Sequence, residues 1–194
     1  PFDESGLILQ RDWVPGGRIW AQVLNTNYID GKITKTQIWS PVTSYYDILA
    51  APNSGLMYAN TPWSGYYNVQ AAIWVTAHTT QFAQPGWQYL DSACGYLPGK
   101  GSYVAFKSPS AGDYSIVVET IGAAATQETM FQISGGLSTG AVHVWRSNAK
   151  EMFVQLNDII PKEGAITINL EPESIYSLTT TTGQAKGTAT PPPA

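Results

Sequence analysis

Apolar positions follow two rhythms in this chain, mixed up to about residue 85 and alternating from Gly86 onward. Ile19 and Val23, with Trp20 and Leu24 beside them, give the spacing of a helix over Arg18–Leu24, entered through Gly16 and Gly17. Asn27-Tyr28-Ile29-Asp30-Gly31 predicts its stop and a turn. Ile33–Trp39 alternates and is rich in Thr and Ile, which predicts a strand. Tyr45–Leu49 reads as a short helix, and Gly55–Tyr67 as a Pro- and Gly-punctuated loop carrying Trp63. Ala71–Phe82 reads as a second helix with Ile73, Trp74, Ala77 and Phe82 inward, closed by Pro85 because a residue before proline disfavours helical geometry.

Beyond Gly86 the period of two predicts strands at Gly86–Leu90, Ser102–Lys107, Tyr114–Glu119, Glu128–Ser134, Ala141–Arg146, Met152–Leu156, Ala165–Leu170 and Ser174–Thr180. Short strands at this spacing, parted by turns such as Pro98-Gly99-Lys100-Gly101, predict a β-sandwich. Mixed elements followed by a pure β block are the signature of two architectures in sequence. The expected division is therefore 1–85, then a β-sandwich over 86–182, then a Gly/Thr/Ala/Pro linker over 183–194. With Pro1 at one end and Pro191, Pro192 and Pro193 at the other, both ends read as excised from a longer chain.

Composition narrows the function classes. Charged residues make up 12% of the 194 and the net charge is −4, so no basic surface exists to follow a phosphate backbone, and nucleic acid is not an expected partner. Seven Trp and eleven Tyr exceed what a core requires, which fits a surface that stacks on sugar rings. Cys94 is the single cysteine, so no internal disulfide is possible. His78 and His143 have no second ligand type at metal-site spacing, so no metal is expected. No apolar run reaches transmembrane length, and no signal-peptide pattern is present.

Glu4, in Phe2-Asp3-Glu4-Ser5, is on composition alone a solvated carboxylate; at the end of a barrel strand it would occupy a catalytic position. Trp39 is either a core tryptophan or a stacking platform at the mouth of such a barrel. Trp63 is either a loop residue with a function or a cover for the barrel edge, the second reading being favoured. His78 is expected to be a hydrogen-bonded structural histidine at an interface between two modules. No Gly-x-Ser-x-Gly elbow and no phosphate loop is present.

Four stretches together carry a resemblance to the galactocerebrosidase (galactosylceramidase) family. They are Val23-Leu24-Asn25-Thr26-Asn27-Tyr28-Ile29-Asp30-Gly31; Ser44-Tyr45-Tyr46 with Gly55-Leu56-Met57 and Pro62-Trp63-Ser64-Gly65; the nearly unbroken run Trp74 to Trp87; and Ser177 to Gly187. The resemblance spans almost the whole chain and weakens between about 120 and 165. It implies the last strand and helix elements of an incomplete (β/α)8 TIM barrel over 1–85, with the rest of the barrel and a lectin-like domain elsewhere in a parent chain. The overall class expected is thus mainly β.

By the same resemblance Glu4 falls on the catalytic nucleophile at the end of barrel strand seven, and Trp39 on a tryptophan of the sugar pocket. A short insertion is expected in Leu7–Gly17, because the spacing from Glu4 to Asn25 exceeds the family's. The implied activity is that of a retaining glycoside hydrolase removing terminal β-galactose from galactosylceramide-type glycolipids, without cofactor, in a lysosomal or secreted setting. Its acid/base glutamate would lie upstream of Pro1, so these residues alone are expected to be inactive.

Two departures concern the sugar. A pocket tyrosine of the family falls at about Ala51, and a pocket arginine has no counterpart in the uncharged Gly122–Thr126 loop. Another β-galactoside is therefore an alternative substrate. The alternative from a different class is a carbohydrate-binding β-sandwich without catalysis, which would have no use for unpaired barrel elements.

Overall fold

The computed structural model describes residues 13–38, 41–44, 56–59, 62–110 and 112–183. Helix α1 (Arg18–Gly31) follows a π-helical turn at Trp13–Gly17. A π turn is how a helix accommodates an extra residue, and this one lies inside the segment where an insertion is expected. Trp13 is buried there, and a Cβ on Gly17 would stand 2.9 Å from the Ala71 Cβ, so only glycine permits this approach of the two helices.

α1 continues through the predicted stop and ends at Lys32, which adopts a left-handed conformation (φ 52°). Asn27 and Tyr28 are interior to the helix, where their carbonyls accept the last turn's orphan bonds from Ile33 N and Lys32 N at 3.0 and 2.9 Å. Ile33–Ile38, the described part of the predicted strand, joins no ladder among the described residues. Alternation makes a segment two-faced, but a strand also requires a paired edge. Here Ile38 packs onto the helical core and Asn27 Nδ2 donates to Thr36 Oγ1.

A small sheet follows, in which β1 (Val42–Ser44) runs parallel to β2 (Met57–Ala59), and β2 antiparallel to β3 (Asn68–Val69). β2 lies within the stretch predicted as loop. Tyr45–Leu49, predicted helical, lies outside the described residues. Helix α2 (Ala71–Thr80) matches its prediction, but the residues it buries are Ala71, Ala72, Val75 and His78; Phe82 just beyond it is also buried, while Trp74 and Ala77 pack at the margin.

The remaining strands are β4 (Gln88–Tyr89), β5 (Gly95–Tyr96), β6 (Ser102–Lys107), β7 (Tyr114–Glu119), β8 (Gln127–Gln132), β9 (His143–Ser147), β10 (Val154–Gln155), β11 (Ala165–Leu170) and β12 (Ile175–Thr179). All eight predicted strands are present, and β5 is additional. Seven of these nine form one antiparallel sheet in the order β10-β9-β12-β7-β6-β4, with β5 also on β6, while β11 and β8 form a separate ribbon. The mainly-β class is thus observed.

Side-chain alternation assigns each face of the large sheet a different neighbour. Val104, Phe106, Val117 and Ile175 face the helices, against Trp20, Ala21 and Val75. Ala105, Ile116, Val118, Val144, Tyr176 and Leu178 face the ribbon, against Ile166 and Leu170. With both faces covered, β7 and β12 are buried at every position.

The helix-facing side also carries polar groups that tie the helices to the sheet. Buried Asn25 donates Nδ2 to the carbonyls of Ser102 and Val117 at 3.2 and 3.3 Å, across β6 and β7. Ser115 Oγ donates to Phe82 O at 2.7 Å. Asn25→Ala should lower stability by about 2 kcal/mol, since two bonds are lost and an inaccessible amide site is vacated. Urea unfolding checks this; an unchanged midpoint would mean that apolar packing alone holds α1 on the sheet.

Candidate functional site

Glu4 and Trp39, the residues to which the family resemblance assigns catalysis and sugar stacking, lie outside the described residues, as does Ala51. What is described is the frame around them. α1 and the Ile33–Ile38 segment precede Trp39, and the parallel β1–β2 pair follows it. Parallel neighbours need a crossover connection between them, the connectivity of alternating β and α units. Between α1, α2 and the segment before Trp39 lies a cavity of about 150 Å³, lined by Leu24, Thr34, Thr36, Ile38 and Thr76 among others. That is below the roughly 300 Å³ at which ligand pockets begin.

Trp63 sits in a short 3-10 turn after β2 and is 76% exposed. Among the described residues its ring faces solvent, with Tyr67 also exposed nearby in sequence, and the barrel edge it is expected to cover lies outside those residues. The Gly122–Thr126 loop presents small residues, and Gly122 N donates to Glu173 Oε1 at 2.8 Å.

Buried titratable groups need separate attention, because an active site is one place where they collect. His78 is completely buried, and its ring lies between two serines. Ser177 Oγ donates to the His78 carbonyl (2.7 Å), so it accepts from the ring's Nδ1–H (2.8 Å). Ser147 Oγ accepts from Phe153 N (2.7 Å) and gives its own proton to Nε2 (2.8 Å). Every donor and acceptor is used, and only the neutral Nδ1–H ring satisfies the set. Burial lowers the His78 pKa to about 3. A serine beside a histidine here is not a nucleophile, since its hydroxyl is committed and no solvent reaches it. The expected hydrogen-bonded, structural role of His78 is what the structure shows, at a place where a helix packs on the sheet.

Glu119 is the buried carboxylate of this layer. It accepts from Ser102 Oγ and Ile121 N, and desolvation pushes its pKa up. It is closed to substrate. Burial also raises the Cys94 thiol, which donates to Leu90 O at 3.2 Å and accepts from Ala105 N at 3.4 Å, so it is a packed thiol rather than a thiolate. Among the described residues no three His, Cys, Asp or Glu side chains are placed to hold a metal ion, and no helix is long and apolar enough to cross a membrane.

Sequence reasoning did not find the serines that hold His78. Their signal was available in Val144-Trp145-Arg146-Ser147 and Ile175-Tyr176-Ser177-Leu178, where a hydroxyl occupies an inward position of a buried strand.

Comparison with known proteins supplies what the described geometry does not. Residues 5–81 match the model of glycosyl hydrolase family 59, and residues 89–185 match the family 59 central domain. The first match begins immediately after Glu4 and includes Trp39. Galactocerebrosidase of Salmo salar is 38% identical over 199 residues, covering 92% of this chain and 30% of its own length. The Homo sapiens galactocerebrosidase is 36% identical over 200 residues, covering 92% and 29%. The chain thus spans about 30% of the length of these relatives. Among solved structures, the catalytic domain of GH30 xylanase C from Talaromyces cellulolyticus superposes with a TM-score of 0.65 at 14% identity, over 93% of this chain and 39% of that one. The GH51 α-L-arabinofuranosidase from Thermotoga petrophila gives 0.63 at 9% identity, over 93% and 41%. At such identities the likeness is one of fold.

Proposed function

Because the chain belongs to glycosyl hydrolase family 59, we propose that it forms part of a retaining glycoside hydrolase that removes terminal β-galactose. The observation that carries this reading is the pair of consecutive family matches, which run from the helical region into the sheet that shares its core. In this reading residues 1–85 are the end of a (β/α)8 barrel, 86–182 a β-sandwich and 183–194 a linker. The parallel β1–β2 pair and the ribbon packed on the large sheet support that division.

The chemistry follows the two-carboxylate pattern. Glu4 attacks the anomeric carbon and displaces the aglycone oxygen, which takes a proton from a second carboxyl group about 5–5.5 Å away. Water, deprotonated by that second group, then releases the sugar and regenerates Glu4. Trp39 offers its indole face to the C–H face of the galactose ring. The acid/base partner is a glutamate outside these 194 residues, and Glu119, enclosed between helix and sheet, does not substitute for it. Galactosylceramide-type glycolipid is the proposed substrate, supported by the relatives' name, galactocerebrosidase. A lysosomal or secreted location goes with it.

Treating the full-length gene product with a 2-deoxy-2-fluoro-β-galactosyl fluoride should give a stable glycosyl-enzyme whose label maps to the peptide containing Glu4. A label on any other carboxylate overturns the assignment. The 194-residue chain by itself should show neither labelling nor turnover, and glycosidase activity from it would place both carboxylates within this sequence.

A further inference from the structure

Among the described residues Tyr96 is 54% exposed, yet its ring is held at both ends. Its backbone belongs to β5, where Gly95 and Tyr96 pair with Tyr103 and Ser102 of β6. Its hydroxyl donates to both carboxylate oxygens of Asp30, each at 2.8 Å, on the last turn of α1. That bond raises the phenol's pKa, so the proton stays on the hydroxyl and the bond stays made. A ring fixed in this way offers a flat apolar surface with little rotamer freedom left to lose on binding.

The surroundings of the ring are polar in an unusual place. A helix C-terminus is the negative end of the backbone dipole and favours cations, but the last turn of α1 carries Asp30 and no basic residue. Lys32, at the cap, supplies a cation and pairs with Asp91, so the cluster holds two acids against one base. The Lys32 and Asp91 side chains are 56% and 64% exposed, which leaves both heads open to a ligand. A carboxylate has about four acceptor sites, so Asp30 keeps capacity beyond the bond from Tyr96.

These groups select one ligand chemistry. A phosphate would be repelled by the two carboxylates, and an apolar chain would cover charged heads without satisfying them. A sugar satisfies both parts, since its C–H face lies on the ring while its hydroxyls reach Asp30, Asp91 and Lys32. Galactose suits a single platform well, because its axial hydroxyl leaves one face of the ring made of C–H groups.

We propose that Tyr96, Asp30 and the Lys32–Asp91 pair form a surface site for a galactose-type hexose residue of a glycan, apart from the site around Glu4. α1 is 14 residues long, or about 21 Å, and in the barrel reading its other end is the one nearer Glu4. Galactose as the sugar rests on the glycosidase reading; the platform rests on the geometry.

Affinity electrophoresis of the full-length gene product through gels containing soluble β-galactan tests it. Tyr96→Phe and Tyr96→Leu lose the Asp30 bond alike, but only phenylalanine keeps a flat ring. Tyr96→Phe should stay within about threefold of the wild-type affinity, and Tyr96→Leu should fall about tenfold. Hydrolysis of an aryl β-galactoside should be the same in both variants as in the wild type. The same Phe–Leu difference on vesicles carrying a galactolipid, with no retention on galactan, supports the site and makes its ligand a lipid headgroup. Equal losses in the two variants overturn the proposal, because Tyr96 would then act only as a tie on α1. So does a Tyr96→Leu protein that binds like the wild type, or no binding to either galactan or vesicles. Labelling of Glu4 tests the glycosidase reading by itself, so the two fail separately.

Discussion

Replacing Glu4 by glutamine in the full-length gene product should lower kcat on an aryl β-galactoside by at least about a thousandfold, the scale on which loss of a covalent nucleophile acts in other enzymes. The amide keeps the shape and most hydrogen bonds of the carboxylate but cannot form the glycosyl ester, so KM and Tm should change little. A nucleophile differs in this from a residue that only positions the sugar, whose loss would be felt first in KM. Glu4→Gly provides the complementary test. With the carboxylate gone and space in its place, azide should attack the face Glu4 used and yield an α-galactosyl azide, restoring turnover of an activated substrate. Turnover near that of the wild type in Glu4→Gln, without azide, would show that another group attacks.

The class of fold was legible because burial leaves periodicity in the sequence. The period of two over Ser102–Lys107, Tyr114–Glu119 and Ala165–Leu170 returned strands with those boundaries. Where the reading failed, the deciding partner was distant in sequence. Asn27-Tyr28-Ile29-Asp30-Gly31 is composed like a stop, yet it remains helical because Tyr28 stacks on Tyr89, with centroids 3.5 Å apart, and Asp30 accepts from the Tyr96 hydroxyl at 2.8 Å. Ile33–Trp39 is a different case: it alternates like a strand, its described part joins no ladder among the described residues, and the barrel neighbours expected for it lie outside them. Of the candidate site, Glu4 and Trp39 rest on resemblance to a family, since a lone carboxylate and a lone tryptophan carry no periodicity. His78 was legible in kind, as a structural histidine, but not in its partners, which come from strands 69 and 99 residues further on.

That partnership gives the second large effect. His78→Leu should destabilise the protein by about 3 kcal/mol at neutral pH, because two hydrogen bonds are lost and Ser147 is left with an unpaired hydroxyl in a dry site. For a chain of this size that corresponds to a fall in Tm of about 6–12 °C. The variant should also lose a pH dependence that the wild type has. His78 titrates near 6.5 when unfolded and at about 3 when folded. Between those values the unfolded chain binds the extra proton, so His78 makes stability rise with pH from about 3 to 6.5 and leaves it flat above. At pH 4.5 the loss relative to pH 7 is about 2–3 kcal/mol, two pH units below the unfolded value at 1.36 kcal/mol each. Glu119 acts with the opposite sign, since its raised pKa makes the folded form hold a proton longer as pH rises. The wild-type profile therefore mixes the two groups, and the difference between wild type and His78→Leu isolates the histidine. Urea unfolding at pH 4.5, 5.5, 6.5 and 7.5 should show the gap between the two proteins narrowing toward acid. A gap independent of pH would mean that the ring is accessible to protons in the folded state and that the serine clamp is open.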